Sequence, residues 1–145
     1  PRPGDLVLAC PPPAATALAR QRGYLGRGPC PGGSKPLGKL VLAAAGDRLE
    51  LAPTGLVLNR CALPSSATLP SDPSGRRLPH PAPGAYKVTA AQVWLFSPHP
   101  RSFDSRYFGP IAVTQLQGLL RPLVVLPAAA MRRWASRLRA CAAAP

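Results

Sequence analysis

The sequence predicts a small, mostly β domain of short antiparallel strands with one or two short helices. Three observations carry this expectation. The 145 residues suffice for one domain with a real core and are too few for two. The 21 prolines and 13 glycines exclude long helices from most of the chain and punctuate it with turns. Between those turns the apolar residues come in runs too short for helices, or alternate with polar ones at the two-residue period of a strand.

Residues 5–10 are an apolar run that stops at three prolines, a buried strand. Residues 14–22 have helical composition, with Ala15, Leu18 and Ala19 on one side and Arg20 and Arg22 on another. Pro13 precedes them and Gly23 closes them, so a short helix is predicted. A Gly/Pro loop spans 24–36. Residues 39–45 then run without polar interruption, which predicts a strand buried on both faces. Gly46-Asp47 turns the chain into 47–51, which alternates polar and apolar as a half-buried strand does. Thr54-Gly55 is a hairpin turn leading to the returning strand 56–60. Residues 65–83, rich in Pro, Ser and Arg, are expected as an exposed, mobile loop. Strands follow at 86–89 and 93–96, and another at 111–119 after the Gly109-Pro110 turn, with Gly118 marking a bulge. The domain is drawn as 1–127. Residues 128–145 form an Ala/Arg helical tail outside it, expected as a frayed, solvated end in preference to an amphipathic helix on a membrane.

The formal net charge is +13, from 18 basic and 5 acidic residues. Nucleic-acid binding is not expected, because the arginines are scattered and only 6% of residues are aromatic. Ala, Pro, Gly and Arg dominate together, the signature of a GC-rich genome, while attraction to lipid headgroups stays open. The longest apolar stretch, 119–131, is broken by Arg121, Pro122 and Pro127, so no membrane-spanning helix is expected. Gly32-Gly33-Ser34-Lys35 has the wrong residue order for a phosphate loop. His80 and His99 sit in proline-rich turns without a ligand partner at metal spacing, so no metal or cofactor is expected.

A chain with 15 arginines and 3 lysines places Lys39 at the head of an apolar run, among Leu37, Leu40, Val41 and Leu42. Such burial disfavours an ammonium and lowers its pKa toward working pH. A neutral lysine can then take the proton of a serine hydroxyl, which is too weak a nucleophile unaided. Far downstream stands Ser102-Phe103-Asp104-Ser105-Arg106-Tyr107-Phe108-Gly109. These two segments, with Gly4-Asp5 and Gly23-Tyr24-Leu25-Gly26-Arg27-Gly28, resemble the boxes of type I signal peptidases. These are serine peptidases whose base is a lysine, and the match is to their TraF-like conjugative-transfer branch. The resemblance covers residues 4–123 and implies the small antiparallel β domain of the signal-peptidase type.

The resemblance also assigns roles. Lys39 would be the general base and Ser102 its polar partner. Asp104 and Arg106 would be a buried ion pair holding the Ser102 loop, with a more direct catalytic role for Asp104 left open. Gly46 and Asp47 would be the family's turn, Asp47 standing eight residues after Lys39 as the family's aspartate does, although Leu40 replaces its usual basic residue. Recurrent cysteines in that branch favour a Cys10–Cys30 disulfide, leaving Cys61 and Cys141 free. The family's nucleophilic serine and membrane anchor precede the Gly4-Asp5 position, where this sequence has only Pro1, Arg2 and Pro3, and the only methionine is Met131. The expectation is therefore part of a membrane-bound Ser/Lys endopeptidase, inactive as it stands. It would process signal peptides or pilin precursors at the periplasmic face of the bacterial inner membrane, binding an extended peptide and no nucleic acid. The alternative is a catalytically inactive β module that binds peptide by strand addition in a secretion or conjugation complex.

Overall fold

In the computed structural model, whose described residues are 1–121 and 128–143, the apolar runs pair into two antiparallel sheets. One contains β1 (Leu6–Ala9), β2 (Leu37–Ala43), β7 (Gln92–Phe96), β8 (Ile111–Ala112) and β9 (Leu116–Leu119), in the order β8-β7-β2-β1-β9. The other contains β3 (Arg48–Ala52), β4 (Gly55–Leu58), β5 (Cys61–Leu63) and β6 (Gly84–Lys87), in the order β5-β4-β3-β6. The helices are α1 (Pro13–Gln21), α2 (Ser105–Phe108) and α3 (Ala128–Ala142). Among the described residues no helix is long and apolar enough to cross a membrane.

The central strands have cores on both faces, which explains their unbroken hydrophobicity. Leu40 and Leu42 of β2, with Trp94 and Phe96 of β7, meet Leu49, Leu51, Leu56 and Leu58 of the second sheet. Val41, Val93 and Leu95 point the other way, onto Val7, Ala9 and Ile111. Gly46, at φ +92°, takes the left-handed conformation that its turn requires. Asp47 locks that turn by accepting from the Ala44 amide and from Asn59 Nδ2, both at 2.8 Å.

Four expectations need correction. Residues 111–119 are not one strand: β8 stops after two residues, Val113–Gln115 make a 3-10 turn, and β9 follows. Gln115 caps this turn, its Oε1 accepting from the Ala112 amide at 2.9 Å, while the Val113 amide donates to the Ala91 carbonyl at 2.9 Å. The ladder does shift register beside Gly118: Leu8 pairs with Gly118 and Ala9 with Leu116, so Gln117 is the extra residue. Second, the 65–83 segment is the irregular, largely exposed loop expected, but it is not free: Asp72 and Tyr107 tie it down. Third, Cys61 and Cys141 are not free: they are joined in a disulfide, as are Cys10 and Cys30. Fourth, the C-terminal helix is not a frayed end. Ala135, Leu138 and Cys141 enter the core between the sheets, Trp134 meets Phe96 at 5.0 Å between ring centroids, and Cys141 anchors α3 to β5. Its apolar residues at helical spacing were diluted by arginines, which hid the buried face. Pro122 and Pro127, which break the 119–131 stretch, and the boundary drawn at 127 lie outside the described residues.

Candidate active site

Strand β2 carries Lys39 opposite Val7 of β1, with Leu37 and Leu40 buried beside it. The Lys39 ammonium group donates a hydrogen bond to Ser102 Oγ, across 63 positions of sequence. Burial lowers the pKa of this amine from lysine's ordinary value. The Asp104 carboxylate pulls it up, and the Arg106 guanidinium pushes it further down. Ser102 is only 8% exposed, so its hydroxyl holds the amine and presents little surface to anything else.

The segment that carries Ser102 is fixed by an ion pair without solvent access. Arg106 Nε and Nη2 donate to the two oxygens of Asp104, each at 2.8 Å. The same Nη2 reaches the carbonyls of Ser97, His99 and Ser102 at 3.3–3.4 Å, and Nη1 reaches that of Ala67 at 3.3 Å. Asp104 also caps α2, accepting from the Arg106 amide at 3.2 Å, and accepts from the Ser97 amide at 3.1 Å. Ser105 Oγ accepts from the Leu95 amide at 2.8 Å and so ties the loop to β7. A four-residue helix has no stability of its own. Here side chains of the box satisfy its ends.

Lys39 and Ser102 open into a cavity of about 550 Å³ lined by Tyr24, Leu25, Leu37, Leu69, Leu78, Phe103 and Tyr107, with Ser71, Asp72, Pro73 and Arg101 at its polar side. Five of these residues come from the 65–83 segment. Asp72 holds it: its carboxylate accepts from Tyr24 Oη, from Arg76 Nε at 2.7 Å and from the Ser74 and Arg76 amides at 2.9 Å. Tyr107 Oη accepts from the Leu69 amide at 3.1 Å. Burial alone would raise the Asp72 pKa. The hydrogen bonds from Tyr24, Arg76 and Ser74 outweigh it and hold the carboxyl below the usual range.

Lys39, Ser102, Asp104 and Arg106, singled out in the sequence, thus form one cluster. Gly46 and Asp47 stand apart, beyond the other end of β2, where they knit the turn to Val88 and Asn59. The Cys10–Cys30 disulfide ties the end of β1 to the 24–36 loop, whose first residues, Tyr24 and Leu25, line the cavity. His80 packs on the Tyr107 ring at 5.4 Å, and His99 accepts from the Arg101 amide; both are exposed, and no metal-binding cluster occurs among the described residues. Tyr24, Asp72 and Tyr107 were missed as a set. Rarity was the available signal: Asp72 is one of 5 acidic residues, set in an Arg/Pro segment.

Residues 1–124 match the family described as signal peptidase, peptidase S26. The chain belongs to this signal peptidase family. Among its relatives is the plasmid transfer protein TraF of Escherichia coli, 40% identical over 123 residues, which cover 83% of this chain and 70% of the relative. The probable conjugal transfer protein TraF of Sinorhizobium fredii is 43% identical over 122 residues, covering 83% and 63%. A crystal structure of a signal peptidase I from Enterococcus faecalis aligns at 17% identity with a TM-score of 0.49, covering 83% of this chain and 97% of that one. The family match and the TraF relatives make the chain a TraF-like signal peptidase family member. Its α3 lies beyond the matched residues.

Proposed function

We propose that this signal peptidase family member is the base-bearing part of a Ser/Lys endopeptidase that trims secreted or pilin precursors in the cell envelope of a conjugating bacterium. The observation that carries the reading is the half-buried Lys39 amine held by Ser102 at the head of an apolar cavity. The similarity to TraF proteins supports the envelope setting and the conjugative substrate.

In this reading the nucleophilic serine comes from a segment that precedes Gly4 in the whole protein. Neutral Lys39 takes the proton from its hydroxyl as the oxygen attacks the scissile carbonyl carbon. The tetrahedral intermediate collapses, the C–N bond breaks, and the lysine returns the proton to the departing amine. Water then repeats the sequence on the acyl-enzyme ester, again through Lys39. Ser102 serves as a positioning residue: its hydroxyl aims the amine. Asp104 and Arg106 hold Ser102 through the backbone of its loop. The apolar walls of the cavity would take side chains of an extended peptide.

The test is cleavage of a signal-peptide or pilin-precursor substrate by the whole protein. Lys39→Ala should abolish turnover, while Ser102→Ala should lower it by 10–100-fold, roughly a mispositioned base. The rate should rise with pH as the Lys39 ammonium loses its proton, with a midpoint below lysine's ordinary range because burial lowers it. Activity that survives Lys39→Ala would remove the dyad. Peptide binding with no cleavage by the whole protein would leave the inactive peptide-binding module.

A further inference from the structure

Three arginines of α3 face a cleft that the peptidase reading does not use. The cleft measures about 690 Å³ and lies between Pro64 and Pro98 on one side and Arg132, Arg133, Trp134 and Arg137 on the other. The other side of α3, with Ala135, Leu138 and Cys141, is set into the core and tied by the disulfide to β5. The arginines are therefore presented on a fixed scaffold.

Their charge has no internal answer. Among the described residues the side chains of Arg132, Arg133 and Arg137 meet no carboxylate, as is true of several other exposed arginines, but these three are gathered at one cleft. Arg133 and Arg137 stand four residues apart, where like charges disfavour a helix. No acidic residue lies anywhere in α3 to offset them. Guanidinium groups carried on an anchored helix are suited to bidentate contacts with phosphate.

We propose that this cleft and its arginine face dock on the phosphate headgroups of an anionic phospholipid bilayer. The helix lies along the protein surface with its arginines on the outer side, the geometry that meets a plane of phosphates. A nucleic-acid strand fits less well, because Trp134 is the one aromatic ring lining the cleft, packs against Phe96, and has no second ring beside it to stack successive bases. Pro98 lines the cleft while Arg101, Ser102 and Phe103 line the catalytic cavity. The two share the 97–104 segment, so docking would hold the cavity at a fixed height over the bilayer. Binding is measured without cleavage, so it fails or succeeds independently of the Ser/Lys reading.

The experiment is partition of the chain onto vesicles of phosphatidylcholine with about one-third phosphatidylglycerol, compared with pure phosphatidylcholine. The combined substitution Arg132→Gln, Arg133→Gln and Arg137→Gln should reduce partition by roughly a hundredfold, since each surface arginine contributes about fivefold. A charge-matched control, Arg2→Gln, Arg27→Gln and Arg77→Gln, removes three exposed arginines elsewhere and should change partition by less than about tenfold. Unchanged melting temperatures in both variants would establish that each is folded. Equal losses in variant and control would overturn the proposal in favour of net charge alone. So would tighter binding of a single-stranded oligonucleotide through the same three arginines, or competition by millimolar inorganic phosphate, which would point to a soluble anion.

Discussion

At Lys39 a single amine balances three influences. Burial lowers its pKa, Asp104 raises it, and Arg106 lowers it again. The folded chain therefore binds fewer protons than the unfolded chain between the lowered value and lysine's ordinary one. Stability rises with pH across that window, and the cost of the buried ammonium is complete below it. Lys39→Met keeps the length of the side chain and removes the charge. It should raise stability at neutral pH by about 1 kcal/mol, a gain of roughly 3–5 °C in melting temperature, and flatten the alkaline rise. Melts of both chains at neutral and alkaline pH provide the measurement; equal slopes would mean that the amine is hydrated. Asp104→Asn acts in the opposite direction. It strands the Arg106 guanidinium in a site with 1% exposure and should cost about 3–5 kcal/mol by denaturant titration. These residues were legible through the resemblance of the two boxes to signal peptidases; residue type alone reads Lys39 as a side chain reaching water and the Ser-x-Asp-Ser-Arg box as an ordinary turn.

The 65–83 segment shows what residue types do not reveal at the scale of an element. Its composition is that of a loop, and its backbone is one, yet it forms a wall of the cavity because Asp72 gathers four donors from Tyr24, Ser74 and Arg76. No local pattern announces a contact between positions 48 residues apart. Asp72→Asn together with Tyr24→Phe should release this wall. Limited proteolysis between Leu69 and Leu78 should become several-fold faster while the strands stay protected in hydrogen exchange. Low pH should act the same way. A carboxyl held below its usual pKa contributes stability that is complete above the unfolded value and is lost as pH falls through the folded one. An unchanged cleavage rate in the double variant would mean that Leu69 and Tyr107, and not the carboxylate, hold the segment. The strands themselves were readable because two-sided burial of β2 and β7 demands unbroken apolar runs. The break at Gln115 was not, since the turn is held by a side-chain cap and by contacts with Ala91 and Cys10, distant in sequence.

On the scale of the molecule, the C-terminal helix closes the core that the two sheets leave open. Sequence alone shows an arginine-rich tail; the core below it supplies the reason for Ala135, Leu138 and Cys141 at helical spacing. Gly4 is part of the same closure: a Cβ there would stand 2.4 Å from the Ala135 carbonyl oxygen, so the strand entering the domain and α3 touch through backbone. The Cys61–Cys141 disulfide spans 80 positions and is the covalent element of this contact. Closing so long a loop in the unfolded chain predicts about 4–5 kcal/mol of stabilisation in the chain-entropy account. Cys61→Ser with Cys141→Ser should therefore lower the unfolding free energy read from a urea titration by about 4–5 kcal/mol, whereas a solvated tail would leave it unchanged. The aromatic contact of Trp134 with Phe96, whose ring carries Arg106 at 4.9 Å, gives the loss a direction. Loosening α3 should first increase hydrogen exchange in β7 and the Ser102 loop, because these share the ring that the helix covers.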